Sequence, residues 1–371
     1  MAKKKEVSKG QTFGVSFLSC LIGVVVGVVG SIAYTLVDVK SDEKERGAVV
    51  GKVYEDFQIH FLELGNIYAG DSIYIKAGET DILIDAGSRA NSKDTIKNYI
   101  NEYVTDNKLE YVIATHAHQD HIAAFGCDEG IFASYDIGTI IDFPLTNSTT
   151  RVFTQYKEAR EKAIENGAKH YTALECYNNE GEAKSTYTFG DNMSMQILYN
   201  YYYEEETKNE NDYSVCVLFK YGTTKYLLTG DLEEDGEKYL ATKHAEDIKD
   251  CDLFKAGHHG SYTASTDELL SVIKPTISVC TCVCGSTEYT SKLENTFPSQ
   301  NYINRISEYT DRVYVTSLCS DYENGEYTSM NGNVIVSSNG SEVAVACSNN
   351  NDLLKDTAWF KENRETPSKW Q

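Results

Sequence analysis

Short runs of apolar and β-branched residues alternate along most of the chain with polar, glycine-containing turns. This pattern is typical of strands and predicts them at 58–64, 72–77, 81–85, 109–115, 193–198, 214–221, 225–229, 253–256, 276–283, 333–337 and 342–346. Apolar positions recur at helical spacing in other segments, which predicts helices at 91–104, 151–166, 233–247 and 265–273. Two similar halves of this kind indicate an α/β sandwich of two sheets with helices outside.

The beginning of the chain has a different pattern. Residues 1–12 form a basic segment with four lysines, and residues 13–37 carry no charge over 25 positions. Because about 20 apolar residues span a bilayer as a helix, we expect a transmembrane anchor at 13–37. The preceding lysines predict a cytoplasmic N-terminus and an extracytoplasmic domain in a single-pass membrane protein. A cleaved signal peptide, with an apolar core of about 7–15 residues, and a buried core helix are the alternatives.

The rest of the chain is interpreted as one domain. Residues 38–53 are polar and charged, which is typical of a linker, and the strand and helix pattern fills 54–348. Residues 349–371 are polar and are predicted to form a loose C-terminal tail. The 371-residue chain has 34 Lys+Arg against 56 Asp+Glu, a net charge of −22. A generally basic, phosphate-binding surface is therefore not visible in the totals, and a local basic groove is not excluded.

The ten cysteines leave the redox state open. Cys20 lies in the apolar span, so an odd number remains outside it and at least one thiol is unpaired within the chain. Cys280, Cys282 and Cys284 alternate in an apolar run and share one face of a predicted strand. A metal cluster is one interpretation, and the pattern favours small buried apolar side chains.

The strongest chemical signal is the segment Thr115-His116-Ala117-His118-Gln119-Asp120-His121, directly after a predicted buried strand. It holds three of the eight histidines of the chain and one aspartate. Neutral imidazoles and a carboxylate are the usual ligands of zinc-class metals. Two ligand groups so close in sequence suit two metal ions a few ångströms apart.

Three other predicted strands also end in polar residues. Lys255-Ala256-Gly257-His258-His259-Gly260-Ser261 follows one, and paired histidines flanked by glycines suit close approach to a metal or a substrate. Leu227-Leu228-Thr229-Gly230-Asp231 and Ile82-Leu83-Ile84-Asp85 end in carboxylates. Each aspartate alone is often only a turn residue. Together, the four strand ends predict an active site.

These four segments, in this order, resemble the metallo-β-lactamase fold of hydrolases. The finer resemblance is to the hydrolase domain of the competence channel proteins of DNA uptake (ComEC type) and its stand-alone relatives. It rests on Leu64-Gly65 through Gly70-Asp71-Ser72, Asn211 through Val215, the Leu-Leu-Thr-Gly-Asp strand and Lys-x-Gly-His-His-Gly-Ser, and covers about 57–346. The resemblance implies a four-layer αββα sandwich and two divalent metals, zinc or manganese.

Carried over by position, the resemblance implies a role for each motif residue. His116 and His118 would hold the first metal; Asp120, His121 and His258 the second; and Asp231 would bridge the two. Three residues would act in catalysis: Asp120 would position the metal and a hydroxide, His259 would face the substrate, and Asp85 would orient the metal-binding loop.

The sequence departs from the family at two places. Many members supply a third first-site histidine between the loop and the bridging aspartate, whereas here only His170 and His244 lie outside the motifs after the loop. Asn211, Asp212 or water would then complete that site. Where competence-type relatives often have Gly-His-Pro, this chain reads Thr296-Phe297-Pro298.

The function implied is an extracytoplasmic, membrane-anchored, metal-dependent hydrolase of phosphodiesters, with single-stranded DNA or an envelope polymer as substrate and a metal-held hydroxide as nucleophile. A β-lactamase and a non-catalytic binding module on the same scaffold are the alternatives. Tyrosines at 199 and 201–203 fit a structural loop, or an aromatic surface that stacks on a base or holds a quaternary ammonium group.

Overall fold

The computed structural model describes residues 46–371. The predicted basic segment at 1–12, the predicted span at 13–37 and the first half of the predicted linker, 38–45, lie outside the described residues. Among residues 46–371, none of the helices is long and apolar enough to cross a membrane. Residues Gly47–Gln371 form one compact unit.

The described residues build two sheets. The first has nine strands: β1 (Ala48–Val50), β2 (Phe57–Phe61), β3 (Ile73–Ala77), β4 (Thr80–Ile84), β5 (Lys108–Ile113), β6 (Asp136–Asp142), β7 (Lys169–Thr172), β16 (Val334–Ser338) and β17 (Val343–Cys347). The second has eight: β8 (Thr186–Phe189), β9 (Met193–Leu198), β10 (Cys216–Tyr221), β11 (Thr224–Leu228), β12 (Leu253–Lys255), β13 (Ile277–Cys284), β14 (Val313–Asp321) and β15 (Glu326–Ser329).

The two sheets share one order of pairing in their central parts. In the first sheet, β2, β3 and β4 pair antiparallel, and β4 through β7 then run parallel. In the second sheet, β8 through β11 pair antiparallel, and β11 through β14 run parallel. The similarity of the two halves that the sequence indicated is therefore one of strand order.

Ten α-helices lie in the described part of the chain. They are α1 (Ser92–Ile100), α2 (Gln119–Ile122), α3 (Ile131–Ser134), α4 (Arg151–Glu165), α5 (Ala173–Asn178), α6 (Glu234–Lys243), α7 (Ala245–Ile248), α8 (Asp267–Ile273), α9 (Gln300–Ile306) and α10 (Ala358–Asn363). The longest, α4, begins at Thr150, whose hydroxyl accepts the N–H of Phe153 and so satisfies a free donor of the first turn.

Alternation along the strands separates two apolar cores. Val217 and Phe219 of β10 pack in the core that the two sheets and helices α1 and α4 share. Leu218, between them, packs on the other face with side chains of α6, α8 and α9. Because successive strand residues point to opposite faces, one strand serves both cores. This confirms the two-sheet α/β arrangement with helices outside.

Strand β13 carries the three alternating cysteines. Cys280, Cys282 and Cys284 are buried in the outer core of the second sheet, and all three thiols are free. Every residue of β13 is buried. Among the described residues, the candidate metal-ligand groups contain no cysteine. The three thiols therefore pack as small apolar side chains.

Three segments differ from the sequence interpretation. Residues 349–371, expected as a loose tail, contain α10 and bury Leu354, Phe360 and Trp370 in the outer core of the second sheet. These three residues are too far apart in sequence to form a helical or strand pattern of apolar positions. In the expected linker, β1 pairs in parallel with β17 at an edge of the first sheet. The expected helix at 233–247 is two helices, α6 and α7, joined at His244.

Candidate metal centre

Four strand ends bring the motif residues together. Strand β4 leads to Asp85 and β5 leads to the 115–121 loop; in the second sheet, β11 leads to Asp231 and β12 to the turn Gly257–Gly260. β4 and β5 are parallel neighbours, as are β11 and β12. The carboxyl ends of these neighbours therefore lie side by side, and the site forms where both sheets present them.

One group of side chains has the composition of a metal site. Asp120, His121, Asp231 and His259 each offer one ligand atom, and these atoms all lie within 4.8 Å of one another. The His121 Nε2 atom is 3.0 Å from Asp231 Oδ2. The His259 Nε2 atom is 3.2 Å from the same oxygen and 3.5 Å from Asp120 Oδ2. Two imidazoles and two carboxylates suit a zinc-class cation. We name these four residues the second-site cluster.

The structure exchanges the two histidines of the Gly-His-His-Gly turn relative to the sequence expectation. His259, expected to face the substrate, is buried within the second-site cluster, whereas the Nε2 atom of His258, the expected ligand, is 4.0 Å from Asp231 Oδ2. Both residues adopt left-handed backbone angles, with φ of 45° and 57°. The direction of each ring follows from this turn, which the sequence does not specify. The geometry therefore favours His259 over His258 as the ligand.

His258 has a carboxylate partner of its own. Its Nδ1 atom lies 3.0 Å from Glu233 Oε1 and 3.1 Å from the hydroxyl oxygen of Thr263. The same glutamate oxygen accepts the side-chain N–H of Asn211 at 2.9 Å. These contacts fix the ring with its Nε2 atom toward the side of Asp231, beside the second-site cluster.

Asp85 lies behind His121, where the resemblance implies an orienting role. One of its oxygens is 2.7 Å from His121 Nδ1 and accepts the Thr115 hydroxyl at 2.7 Å. The other accepts the Thr115 N–H at 2.8 Å. A carboxylate on the far nitrogen of a ligating histidine fixes its tautomer and ring direction. Asp85 therefore holds both the first residue of the metal-binding loop and its last histidine.

Sequence reasoning missed a buried ion pair beneath the cluster. Lys255, the last residue of β12, is fully buried, and its ammonium group lies 2.7 Å from Asp71 Oδ2 and 3.2 Å from Asp231 Oδ1. The Thr281 hydroxyl also donates to Asp71. Asp231 thus uses one oxygen for Lys255 and keeps the other for the histidines. A lysine at the end of an apolar run could have indicated this ion pair, because a lysine that is buried is almost always paired with a carboxylate.

His116 and His118 form a smaller group. Their Nε2 and Nδ1 atoms face each other at 3.0 Å, and the His116 ring lies 4.1 Å from that of His121. The two other late histidines lie elsewhere: His170 pairs with Asp142 at 2.8 Å, and His244 Nε2 accepts the N–H of Tyr199. We name His116 and His118 the first-site pair.

Asn211, one of the residues expected to complete the first site, has a side-chain oxygen that is free to accept. Its Oδ1 atom is buried without a hydrogen-bond partner. The neighbouring Glu210 accepts the N–H of Ala117, between the two histidines of the pair. Asp212, the other expected ligand, instead accepts the Thr207 hydroxyl at 3.0 Å, and burial raises its pKa to about 6.

The electrostatics of the second-site cluster favour a cation. Burial opposes protonation of His121, but the carboxylates of Asp231 and Asp85 outweigh it and raise its pKa well above the usual range. Burial likewise opposes protonation of His259, and Asp231 and Asp71 raise its pKa. Burial disfavours charge on Asp231, yet His121 and His259 hold its pKa well below the ordinary value. The His259 Nε2 atom also has no hydrogen-bond partner. The donor set therefore fits a metal ion, which would replace these protons.

A loop between β13 and α9 forms one wall of the site. The Tyr289 hydroxyl donates to Asp120 Oδ2 at 2.9 Å, and burial and that carboxylate raise the pKa of Tyr289. The Phe297 ring, at the position of the expected Gly-His-Pro, lies 5.7 Å from the His258 ring and 5.8 Å from the His259 ring. An aromatic wall therefore stands where the resemblance led us to look for a histidine.

The tyrosines at 199–203 are largely structural. Tyr203 is buried and accepts the N–H of Cys216 at 3.1 Å. Tyr199 donates to Glu204 at 2.6 Å and packs on Tyr177 with ring centroids 5.0 Å apart. Tyr201 is exposed. These contacts agree with the interpretation as a structural loop.

Comparison with known proteins agrees with the resemblance. Residues 65–126 match the model of the metallo-beta-lactamase superfamily. The chain is 33% identical over 73 residues to Recombination protein 2 of Haemophilus influenzae, covering 20% of this chain and 9% of that protein. It is 24% identical over 179 residues to ComE operon protein 3 of Bacillus subtilis, covering 46% of this chain and 20% of that protein. The chain therefore matches only a small part of each curated relative.

Solved structures also align with this chain. The metallo-beta-lactamase fold protein YhfI of Bacillus subtilis aligns with a TM-score of 0.41 at 12% identity, over 74% of this chain and all of that one. The diiron β-hydroxylase CmlA of Streptomyces venezuelae aligns with a TM-score of 0.36 at 12% identity, over 61% and 44%. The sequence matches confirm the predicted resemblance to the metallo-β-lactamase superfamily and to proteins of the ComE type.

Proposed function

We propose that this protein is a metal-dependent hydrolase that cleaves phosphodiesters. The observation that carries the proposal is the second-site cluster: Asp120, His121, Asp231 and His259 are gathered within 4.8 Å at the carboxyl ends of neighbouring strands. Two divalent metals, zinc or manganese, would lower the pKa of a bound water and neutralise charge on phosphoryl oxygens. The first-site pair and Asp231 would hold one metal, and the second-site cluster the other.

The residues around the cluster supply orientation. Lys255 holds one oxygen of Asp231, so that the remaining oxygen faces the metal positions. Asp85 fixes the ring of His121. His258, held by Glu233 at its Nδ1 atom, presents its Nε2 atom beside the site. The pocket thus combines cation ligands with side chains that fix their direction.

The substrate class rests on the kind of relative that the chain resembles. One matched protein is named for recombination and the other for the ComE operon, which favours a phosphodiester over a β-lactam. We propose single-stranded DNA or an envelope phosphodiester polymer as the substrate. We further propose that residues 13–37 anchor the protein in the cell membrane with its N-terminus in the cytoplasm and its hydrolase domain outside.

The test compares two Asp→Asn variants of the full chain, loaded with zinc or manganese, on bis-p-nitrophenyl phosphate. Asp120→Asn removes a cluster carboxylate, and hydrolysis should fall by about 10³-fold, since metal ions supply several kcal/mol of charge stabilisation. Asp128→Asn is the control, because Asp128 is exposed eight residues further along, and should leave the rate unchanged.

The same assay separates the alternatives. If the metal-loaded wild type hydrolyses no phosphodiester but opens a β-lactam ring, the β-lactamase alternative is correct. If it does neither over a broad panel, the protein is a binding module on a hydrolase scaffold. Equal rates for Asp120→Asn and wild type would remove the second-site cluster from the reaction.

A further inference from the structure

Tyr289 differs from the other side chains that contact the second-site cluster. Its hydroxyl donates to Asp120 Oδ2 at 2.9 Å, yet the residue as a whole is 54% exposed. Its hydroxyl therefore reaches the ligand carboxylate while about half of the residue stays open to solvent. A substrate that approaches from solvent would meet this side chain before it meets the buried ligands.

The loop that carries Tyr289 is anchored on both sides of it. The preceding residue, Glu288, pairs with Arg89 at 2.7 Å and accepts the N–H of Ala69 at 3.0 Å. On the other side, the Phe297 ring packs on the Tyr289 ring with centroids 5.7 Å apart. These contacts hold the hydroxyl at the site in advance, which is the condition for useful stabilisation of a transition state.

The other donors beside the cluster are already engaged. Lys255 contacts Asp71, Asp231 and the carbonyl oxygen of Gly230. His121 lies between Asp85 and Asp231. The Tyr289 hydroxyl, by contrast, has a single contact to the cluster, and that carboxylate would be drawn toward a bound metal. A neutral donor at the solvent side of the site suits the oxygen that leaves the substrate.

We propose that Tyr289 is a catalytic residue of this site: its hydroxyl donates a hydrogen bond to the leaving-group oxygen of the phosphodiester. The proposal rests on the proposed function. In the reaction, the oxygen of a water forms a bond to phosphorus and the bond between phosphorus and the leaving oxygen breaks. The attacking water releases a proton to solvent. The leaving oxygen keeps the electron pair, is stabilised by the Tyr289 hydrogen bond, and takes up a proton from solvent.

The experiment uses two substrates that differ only in their leaving group, methyl p-nitrophenyl phosphate and methyl phenyl phosphate, with the full metal-loaded chain. Tyr289→Phe should lower kcat/KM for the phenyl ester by about 10²-fold, because phenolate needs more stabilisation, and by much less for the p-nitrophenyl ester. Metal content by elemental analysis should be unchanged. Tyr262→Phe is the control, since Tyr262 is 46% exposed in the loop between the Gly257–Gly260 turn and α8, and should change neither rate.

The possible outcomes separate three accounts. An equal fall on both esters, or a loss of metal in Tyr289→Phe, would show that the hydroxyl only holds Asp120 and would overturn the proposal. Unchanged rates on both esters would overturn it as well. If the wild type hydrolyses neither ester, the proposed function itself fails, and the role of Tyr289 in it is overturned at that earlier step.

Discussion

The second-site cluster and the first-site pair both draw residues from the 115–121 loop and are supported very differently. His121 has a carboxylate at its far nitrogen, Asp85 at 2.7 Å. His116 has only hydroxyl groups at its far nitrogen, those of Thr115 at 3.1 Å and Ser214 at 3.4 Å. A carboxylate makes a histidine a better metal ligand than a hydroxyl does. We therefore expect the second-site metal to be held more tightly than the first.

The two groups also differ in their ligand count. The second-site cluster offers two imidazoles and two carboxylates, which satisfy a four-coordinate cation by themselves. The first-site pair offers two imidazoles and a share of Asp231, so a fourth ligand must come from Asn211 or from water. The difference in ligand count therefore predicts one tighter and one weaker metal site in the same protein.

The largest effect is expected from removing the cation beneath the second-site cluster. Lys255→Met leaves Asp71 and Asp231 buried without their ammonium partner, and breaking such a pair costs about 3–5 kcal/mol of unfolding free energy. Urea unfolding of the metal-free protein measures this loss. Lys238→Met is the control, because Lys238 pairs with Glu234 on the surface, where a pair is worth about 1 kcal/mol or less. Similar losses in the two variants would mean that Lys255 does not stabilise the cluster.

A smaller effect is expected from the support behind the histidines. Asp85→Asn should weaken metal binding about 10–100-fold, the usual range for an orienting partner. Ser214→Ala, which removes a hydroxyl behind His116, should weaken it less. Competition with a chelator measures both affinities. If Ser214→Ala has the larger effect, the assignment of the tighter site is reversed.

The smallest effect concerns the turn that carries His258 and His259. Glu237 is buried beneath this turn, accepts the N–H groups of Ser265 and Thr266, and burial raises its pKa to about 7. A raised pKa means that the native state holds the proton more tightly, so this contribution to stability is complete below about pH 4.5 and lost as pH rises through about 7.

Thermal and urea unfolding of wild type and Glu237→Gln across this range measure the contribution. Between pH 5 and pH 8 the wild type should lose about 2 kcal/mol more than Glu237→Gln, because glutamine cannot ionise. Parallel curves for the two proteins would show that Glu237 does not titrate in this window.

Much of the site could be predicted because each motif directly follows an apolar strand. The strand signals at 81–85, 109–115, 225–229 and 253–256 place the four motif ends, and the structure brings Asp85, His121 and Asp231 together as the pattern indicated. Strand and loop patterns of this kind depend on local sequence only, and so they can be recognised without knowledge of the fold.

The parts that failed depend on distant contacts. Strand β6 contains a glycine and has an aspartate at each end, and β7 has only four residues. Neither therefore gives a clear pattern, and both form because they pair with neighbouring strands. Phe360 and Trp370 are buried by packing against the second sheet. Their neighbours in sequence are polar and give no sign of this burial. The ring directions of His258 and His259 follow from two consecutive left-handed residues, a backbone choice that residue types do not reveal.

The most direct test of the central claim is metal content by elemental analysis in full-length wild type, His259→Ala, His258→Ala and His118→Ala, at limiting free zinc. We expect His259→Ala to lose the tightly bound metal, because its ring belongs to the second-site cluster. His258→Ala should retain that metal, and His118→Ala should lose only the weaker one. If His258→Ala loses the tight metal while His259→Ala keeps it, the second-site cluster is wrongly assembled and the account is contradicted.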